Sequence, residues 1–279
     1  MIKETQSFKG KLESIQVLRV PAALGVMLGH LGCYEGYGLR LNAGVQIFFV
    51  ISGFLMMYTS RNYKPTMAIR KIIRLIPLYW ILTILTFIAA QILPSLSSDN
   101  IGGIELLKSL LFIPYKRVGI NTAAEEVVRP IVGPAWTLYF DVYFVIIASV
   151  CAAISFKYRG ILTSFVILSN YLITNYFKYD SAIGHILANP NWLCFICGIF
   201  VYEITKWYVE SDFKVNYITT FCFKSVEIVS LALLFFRVFH FTELDKGIIA
   251  SVLLFAIIAD YKYSKFPKWV VHLGDISFS

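Results

Sequence analysis

A succession of apolar runs, each of about 17–25 residues and so about long enough to cross a bilayer, constrains this chain more than any other feature. They fall near residues 15–33, 43–60, 75–93, 133–154, 160–176, 191–206, 225–241 and 247–262, and another begins near Trp269. Stretches such as Ile81 to Ala90 and Val226 to Phe236 are nearly continuous. Strands of a membrane barrel would alternate apolar with polar residues, so helices are the spanning elements that fit. The expected fold class is all-α, a polytopic membrane helix bundle of about eight to nine transmembrane helices. Composition agrees: apolar residues make up 58% of the chain, charged residues 15%, and the mean hydropathy of +0.69 exceeds that of a soluble domain. A single domain over residues 1–279 is expected, since no internal repeat or low-complexity linker divides the sequence.

The charge distribution orients the bundle. Lys3, Lys9, Lys11, Arg61, Lys64, Arg70, Lys71 and Arg74, with lysines and arginines of every second later connection, fall on one side if the N-terminus is cytoplasmic. The positive-inside rule then favours an N-in, multi-pass protein of a plasma membrane. The net charge of +8 is accounted for by this bias, and no basic stripe with stacking aromatics suggests a nucleic-acid partner. The first apolar segment is interrupted by Arg19 and lacks a clean small-x-small cleavage site, so it is expected to remain as a helix. Pro94 to Val132, the longest connection, is expected outside; its mildly amphipathic piece Ile104 to Phe112 suits a membrane surface or a cap over a cavity. The five cysteines are scattered. Cys194-Phe-Ile-Cys197 lacks a second ligand pair and lies in an apolar helix, so core packing is expected there and no metal site.

Several polar groups sit inside these runs. Arg19 and His30 are eleven residues apart, about three helical turns, and leave one helix face about 16 Å apart along the axis. Arg19 alone is also explained as an arginine snorkelling from a helix end, and His30 as a histidine hydrogen-bonded to a neighbouring helix. Ionisable groups inside a membrane are costly and mark candidate functional sites. Arg70, Lys71 and Arg74 form a basic cluster in which Arg70 and Arg74 share a helix face; plain cytoplasmic anchoring is the reading these residues favour on their own. Ser52, in Val-Ile-Ser-Gly-Phe, invites an acyl-serine reading, but no strand-turn-helix elbow is present and the Ser52-Gly53 pair also lets helices approach closely. Asp260 reads as an interfacial charge near a helix end.

Four ordered blocks together carry a resemblance. They are Arg19-(ten residues)-His30, then Gly44-Val45…Phe48-Phe49…Ser52-Gly53-Phe54, then Arg70…Arg74…Pro77…Tyr79-Trp80, and last Pro134-Ala-Trp136-Thr-Leu-Tyr-Phe-Asp141-Val-Tyr-Phe144. In this order they resemble the acyltransferase 3 family, within it the branch that modifies exopolysaccharides, most closely over residues 12–145. Leu273-Gly274-Asp275-Ile276-Ser277-Phe278 is similar to the opening of the family's last segment. The family usually has glutamate where this chain has Asp141, and it continues through a final span where this chain stops at Ser279, so a C-terminally shortened member is expected.

The resemblance implies transfer of an acyl group, most often acetyl, from acyl-CoA to a hydroxyl of a carbohydrate such as an exopolysaccharide, O-antigen or lipid-linked sugar. Acyl-CoA, in the first place acetyl-CoA, is then a donor substrate and no bound cofactor is required; the partners are the donor, the carbohydrate acceptor and membrane lipid. A sugar hydroxyl is a poor nucleophile, and a neutral histidine suits it as general base, a role given to His30. Arg19 can stabilise charge developing on the thioester. Asp141 can orient His30 or pair with an arginine. Arg70 and Arg74 are candidates for the coenzyme A phosphates, and Trp136 and Ser52 for substrate contact. Two other classes fit the same features: a transporter or flippase for lipid-linked sugars, for which no matching pair of glycine-interrupted half-helices is found, and an inactive membrane protein.

Overall fold

The computed structural model describes residues 2–30, 43–60, 66–93, 101–118, 126–211, 216–236, 240–260 and 267–276. The protein is helical. In chain order the α-helices are α1 (Ile2–His30), α2 (Gly44–Thr59), α3 (Thr66–Ile92), α4 (Gly103–Leu110), α5 (Trp136–Ile154), α6 (Arg159–Phe177), α7 (Ala182–Leu187), α8 (Asn191–Glu210), α9 (Tyr217–Phe235), α10 (Glu243–Asp260) and α11 (Lys268–Ile276). One short antiparallel ribbon, β1 (Lys116–Val118) with β2 (Glu126–Val128), is paired Lys116 to Val128. Among the described residues, Gly133–Ile154, Arg159–Phe177, Asn191–Glu210 and Tyr217–Phe235 are long and apolar enough to cross a membrane, while the apolar helices Gly44–Thr59 and Ile76–Ile92 are shorter. The outward faces of α6 and α9 carry Ile161, Phe165, Leu172, Ile218, Phe221 and Ile228, all exposed. A soluble protein rarely leaves so continuous an apolar face to water; in a membrane it meets lipid.

Local chemistry moves several helix ends from where hydropathy puts them. The α9 run was expected at 225–241, but the helix begins at Tyr217 because Asn216 caps it, accepting from Thr219 N–H at 2.9 Å while its own N–H donates to Thr219 Oγ1 at 2.7 Å. In α10, expected from Gly247, the first residue is Glu243: the Thr242 and Asp245 side chains accept from each other's backbone N–H. Capping thus draws polar residues into helices that a search for apolar runs clips off.

The chain divides into two compact units, residues 1–61 with 193–279, and residues 62–192. In the first, α1 packs against α2, α10 and α11, and α10 against α2 and α9. Glycines set these approaches. A methyl on Gly198 of α8 would lie 2.9 Å from Phe54 N of α2, and one on Gly53 of α2 would lie 3.2 Å from Gly198 Cα; small residues are what allow helix backbones this close in lipid. Phe49 packs against Phe195 with the rings tilted and Phe54 meets Tyr202 edge-on, so α2 and α8 run in the same direction. Gly198→Val should therefore push α2 and α8 apart and cost about 1–3 kcal/mol. The expected reading is a lower unfolding midpoint in detergent; an unchanged midpoint would remove this close approach from the account.

Asp260 ends α10, a helix end as expected, but its side chain is enclosed by protein. It is fully buried at 0% exposure, and Lys224 of α9 reaches it at 2.9 Å while holding Glu227 at 2.9 Å. Desolvating a carboxylate is costly, and the ammonium from the neighbouring helix offsets that cost.

In the second unit, the α3 helix expected at 75–93 begins earlier, at Thr66, and continues through Pro77. Its Tyr79 hydroxyl donates to the Ser109 carbonyl at 3.0 Å and Trp80 Nε1 to the Leu110 carbonyl at 2.9 Å, covering carbonyls at the end of α4. Ser109 is buried: its hydroxyl pairs with the Tyr115 hydroxyl at 2.9 Å and accepts from Ile131 N–H at 3.1 Å. Phe112, at φ 55°, turns the chain back, and Tyr143 of α5 donates to its carbonyl at 3.0 Å. The piece expected to lie on a surface or cap a cavity is thus fastened to α3 and α5. Lys116 of β1 meets Asp180 at 2.6 Å, and His185 of α7 meets the same carboxylate at 3.2 Å. The hydrogen bond from Lys116, then that from His185, holds the Asp180 carboxyl below its ordinary range.

Candidate functional site

Arg19 and His30 share one continuous helix, as their spacing requires. At 3.6 residues per turn, Arg19, Ala22, Val26 and His30 form a single stripe along α1. Gly44, the first residue of α2, seats on the middle of that stripe: a methyl there would lie 2.9 Å from Val26 Cγ2 and 3.0 Å from the Ala22 carbonyl carbon. The face of α1 that carries both ionisable residues is thus the face against which α2 packs. Glycine at the contact lets the second helix start close to the first.

The two ends of the stripe differ. Arg19 is buried, 3% exposed, and donates from Nη1 to Gln16 Oε1 at 2.6 Å. Gln16 is in turn covered by α11, where a methyl on Gly274 would lie 2.9 Å from Gln16 Cα. A snorkelling arginine would have its head in water, whereas this guanidinium is enclosed by protein. Pro21, two residues on, has no N–H to offer the Val17 carbonyl, which loosens the helix ladder beside Arg19. His30 ends α1 and is exposed, open to a substrate arriving at that end.

Beside the stripe lies a polar cluster that hydropathy alone does not reveal. Gln46, one half-turn into α2 and 4% exposed, donates through Nε2 to Glu243 Oε2 at the start of α10. Lys246, also 4% exposed, donates to Glu243 Oε1 at 2.7 Å. The backbone carbonyl of Glu243 accepts from Cys194 Sγ of α8 at 3.6 Å, and a methyl on Gly247 would lie 2.8 Å from that sulfur. Cys194 therefore packs at a helix junction. Glu243 and Lys246 belong to the charged first turn of α10, ahead of the apolar run from Gly247, and the signal that would have found them is the Thr242–Asp245 cap.

Ser52 is buried, 8% exposed, on the α2 segment whose Gly53 touches α8. Trp136 and Asp141 belong to the other unit. Trp136 is the first residue of α5, after a 3₁₀ turn over Gly133–Ala135. Its ring meets Phe140 edge-on at 5.6 Å, and Phe140 lies 5.3 Å from the buried Trp192. Asp141 follows one residue later, partly exposed. Arg70 and Arg74 fall in the first turns of α3; their side chains lie outside the described residues. The structure thus joins Arg19, His30, Ser52, Gln46, Glu243 and Lys246 in one unit, and Trp136 with Asp141 in the other.

Comparison with known proteins bears on the chemistry. The acyltransferase 3 family model, described as an acyltransferase domain, matches residues 12–279. The exopolysaccharide production protein ExoZ of Rhizobium meliloti (strain 1021) is 27% identical over 182 residues, 63% of this chain and 55% of ExoZ. The chain thus matches little more than half the length of this curated relative. No solved structure matches it.

Proposed function

The chain belongs to the acyltransferase 3 family, and on that premise we propose that it is a membrane O-acyltransferase moving an acyl group, acetyl first among candidates, from acyl-CoA to a hydroxyl of a cell-surface or lipid-linked carbohydrate. The observation that carries the reading is the α1 stripe: a buried arginine and an exposed histidine on one face, with α2 seated between them. ExoZ, by its name a protein of exopolysaccharide production, supports a carbohydrate acceptor. The membrane is a bacterial plasma membrane with the N-terminus cytoplasmic, residues 1–279 form one domain, and about eight to nine helices span.

In this reading one ring nitrogen of His30 takes the proton of the sugar hydroxyl as its oxygen attacks the thioester carbonyl. The carbonyl oxygen gains negative charge, which an arginine or backbone N–H donors stabilise. The C–S bond then breaks, the imidazolium returns the proton to the coenzyme A sulfur, and the acyl ester stays on the sugar. Asp141 pairs with an arginine, Trp136 offers an aromatic face to a sugar, and Ser52 lines the path along α2. Arg70 and Arg74 hold the donor's phosphates, because paired guanidinium donors match phosphate oxygens.

Membranes containing the chain, given labelled acetyl-CoA and alkali-deacylated exopolysaccharide, should place base-labile label on the polysaccharide; no label on any hydroxyl acceptor would contradict the reading. Replacing both Arg70 and Arg74 by glutamine should raise the donor concentration needed for half-maximal transfer by about tenfold or more, as expected on losing about 1.4 kcal/mol of phosphate contact, with the protein still inserted. An unchanged donor requirement would remove the two arginines from the donor site.

A further inference from the structure

We infer that Glu243, gripped by Gln46 and Lys246, binds the carbohydrate acceptor and sets the hydroxyl-bearing ring against His30; this rests on the acyl-transfer reading above. Three features carry it. The first is the asymmetry of burial. Gln46 and Lys246 are each 4% exposed, whereas the Glu243 side chain they hold is 33% exposed. A buried ammonium and a buried amide are costly, and here both are directed at one carboxylate that keeps access to the outside. Each oxygen has accepted one of these hydrogen bonds. A carboxylate oxygen can accept a second, and sugar hydroxyls are the donors that a neutral acceptor brings in quantity.

The second feature is place. Gly44 is level with Ala22 and Val26 of α1, eight and four residues before His30, so the α2 end of the cluster stands about 6–12 Å along the axis from the level of His30. Helical side chains lean toward their own N-terminus, which carries Gln46 toward the start of α2 and His30 back along α1. An acceptor sugar spanning that axial interval would place one hydroxyl at the imidazole and others at the carboxylate. The third is rigidity. The Thr242–Asp245 cap fixes the turn that bears Glu243, and Cys194 bonds its backbone carbonyl, so the carboxylate is positioned before the acceptor arrives.

The test uses the full chain in membranes, with labelled acetyl-CoA as donor and alkali-deacylated exopolysaccharide as acceptor, each varied separately. Glu243→Gln alone leaves the Lys246 ammonium without its carboxylate and can fail to fold, so Glu243→Gln with Lys246→Met is made beside it and its unfolding midpoint is measured. The expected result is a rise of tenfold or more in the acceptor concentration for half-maximal transfer, with the donor requirement and the midpoint of the double variant near wild type. An unchanged acceptor requirement in a double variant that transfers acetyl overturns the inference and leaves the enzyme reading standing. Equal loss against donor and acceptor, together with a lowered midpoint, overturns it in favour of a purely structural tie between α2 and α10. If wild-type membranes transfer nothing to any hydroxyl acceptor, the enzyme reading falls and this inference with it.

Discussion

Replacing His30 by alanine is expected to lower O-acyl transfer by at least about a hundredfold, the scale of a lost general base, with the protein still made and inserted. The separation of these effects follows from position. His30 ends α1 and is exposed, so truncating it leaves no cavity and removes no buried partner. Arg19 is the contrasting case. At 3% exposure, with Gln16 bonded to it and α11 laid over Gln16, its replacement disturbs packing as well as charge, so loss of activity there says less about mechanism. Transfer and unfolding midpoint measured on His30→Ala decide the matter: near wild-type activity removes His30 from the chemistry, and activity lost together with the fold would make its role structural.

The largest effect on stability is expected at Lys224. Its ammonium holds Glu227 and the fully buried Asp260, each at 2.9 Å. Lys224→Met leaves two carboxylates facing each other between α9 and α10 without that ammonium, and removing one partner of a buried ion pair typically costs about 3–5 kcal/mol. Neutralising all three, with Lys224→Met, Glu227→Gln and Asp260→Asn, should recover much of the loss, because the penalty lies in carboxylate charge that the ammonium no longer offsets. Unfolding in detergent measures both variants. A single Lys224→Met variant as stable as wild type would show that these carboxylates do not depend on the lysine, and a triple variant no better than the single one would assign the cost to lost packing.

The helical fold is legible in the sequence because hydrocarbon leaves the backbone few choices: an apolar run must satisfy its own N–H and C=O groups. That argument fixes the interior of a helix and says little about its ends. Asn216 starts α9 eight residues before the expected boundary, and Thr242 brings a charged turn onto α10. The β1–β2 ribbon has strands of three residues each, too short for any period to show. Neither the Lys224–Asp260 pair nor the Gln46–Glu243 bond is local, and the second joins residues 197 apart in the chain. Periodicity holds no information on such partners. Arg19 and His30 were legible because both lie on one helix, where spacing alone gives the shared face. Trp136 and Asp141 stood out only as part of a resemblance.

Acylation of a carbohydrate through His30 has a direct signature in whole cells. Proton NMR of cell-surface polysaccharide before and after mild base, from cells lacking the protein and complemented with this chain or with His30→Ala, tests it most directly. Base-labile acyl signals are expected to be restored by the chain and absent with the variant. Signals independent of the chain, or restored equally by His30→Ala, would contradict it.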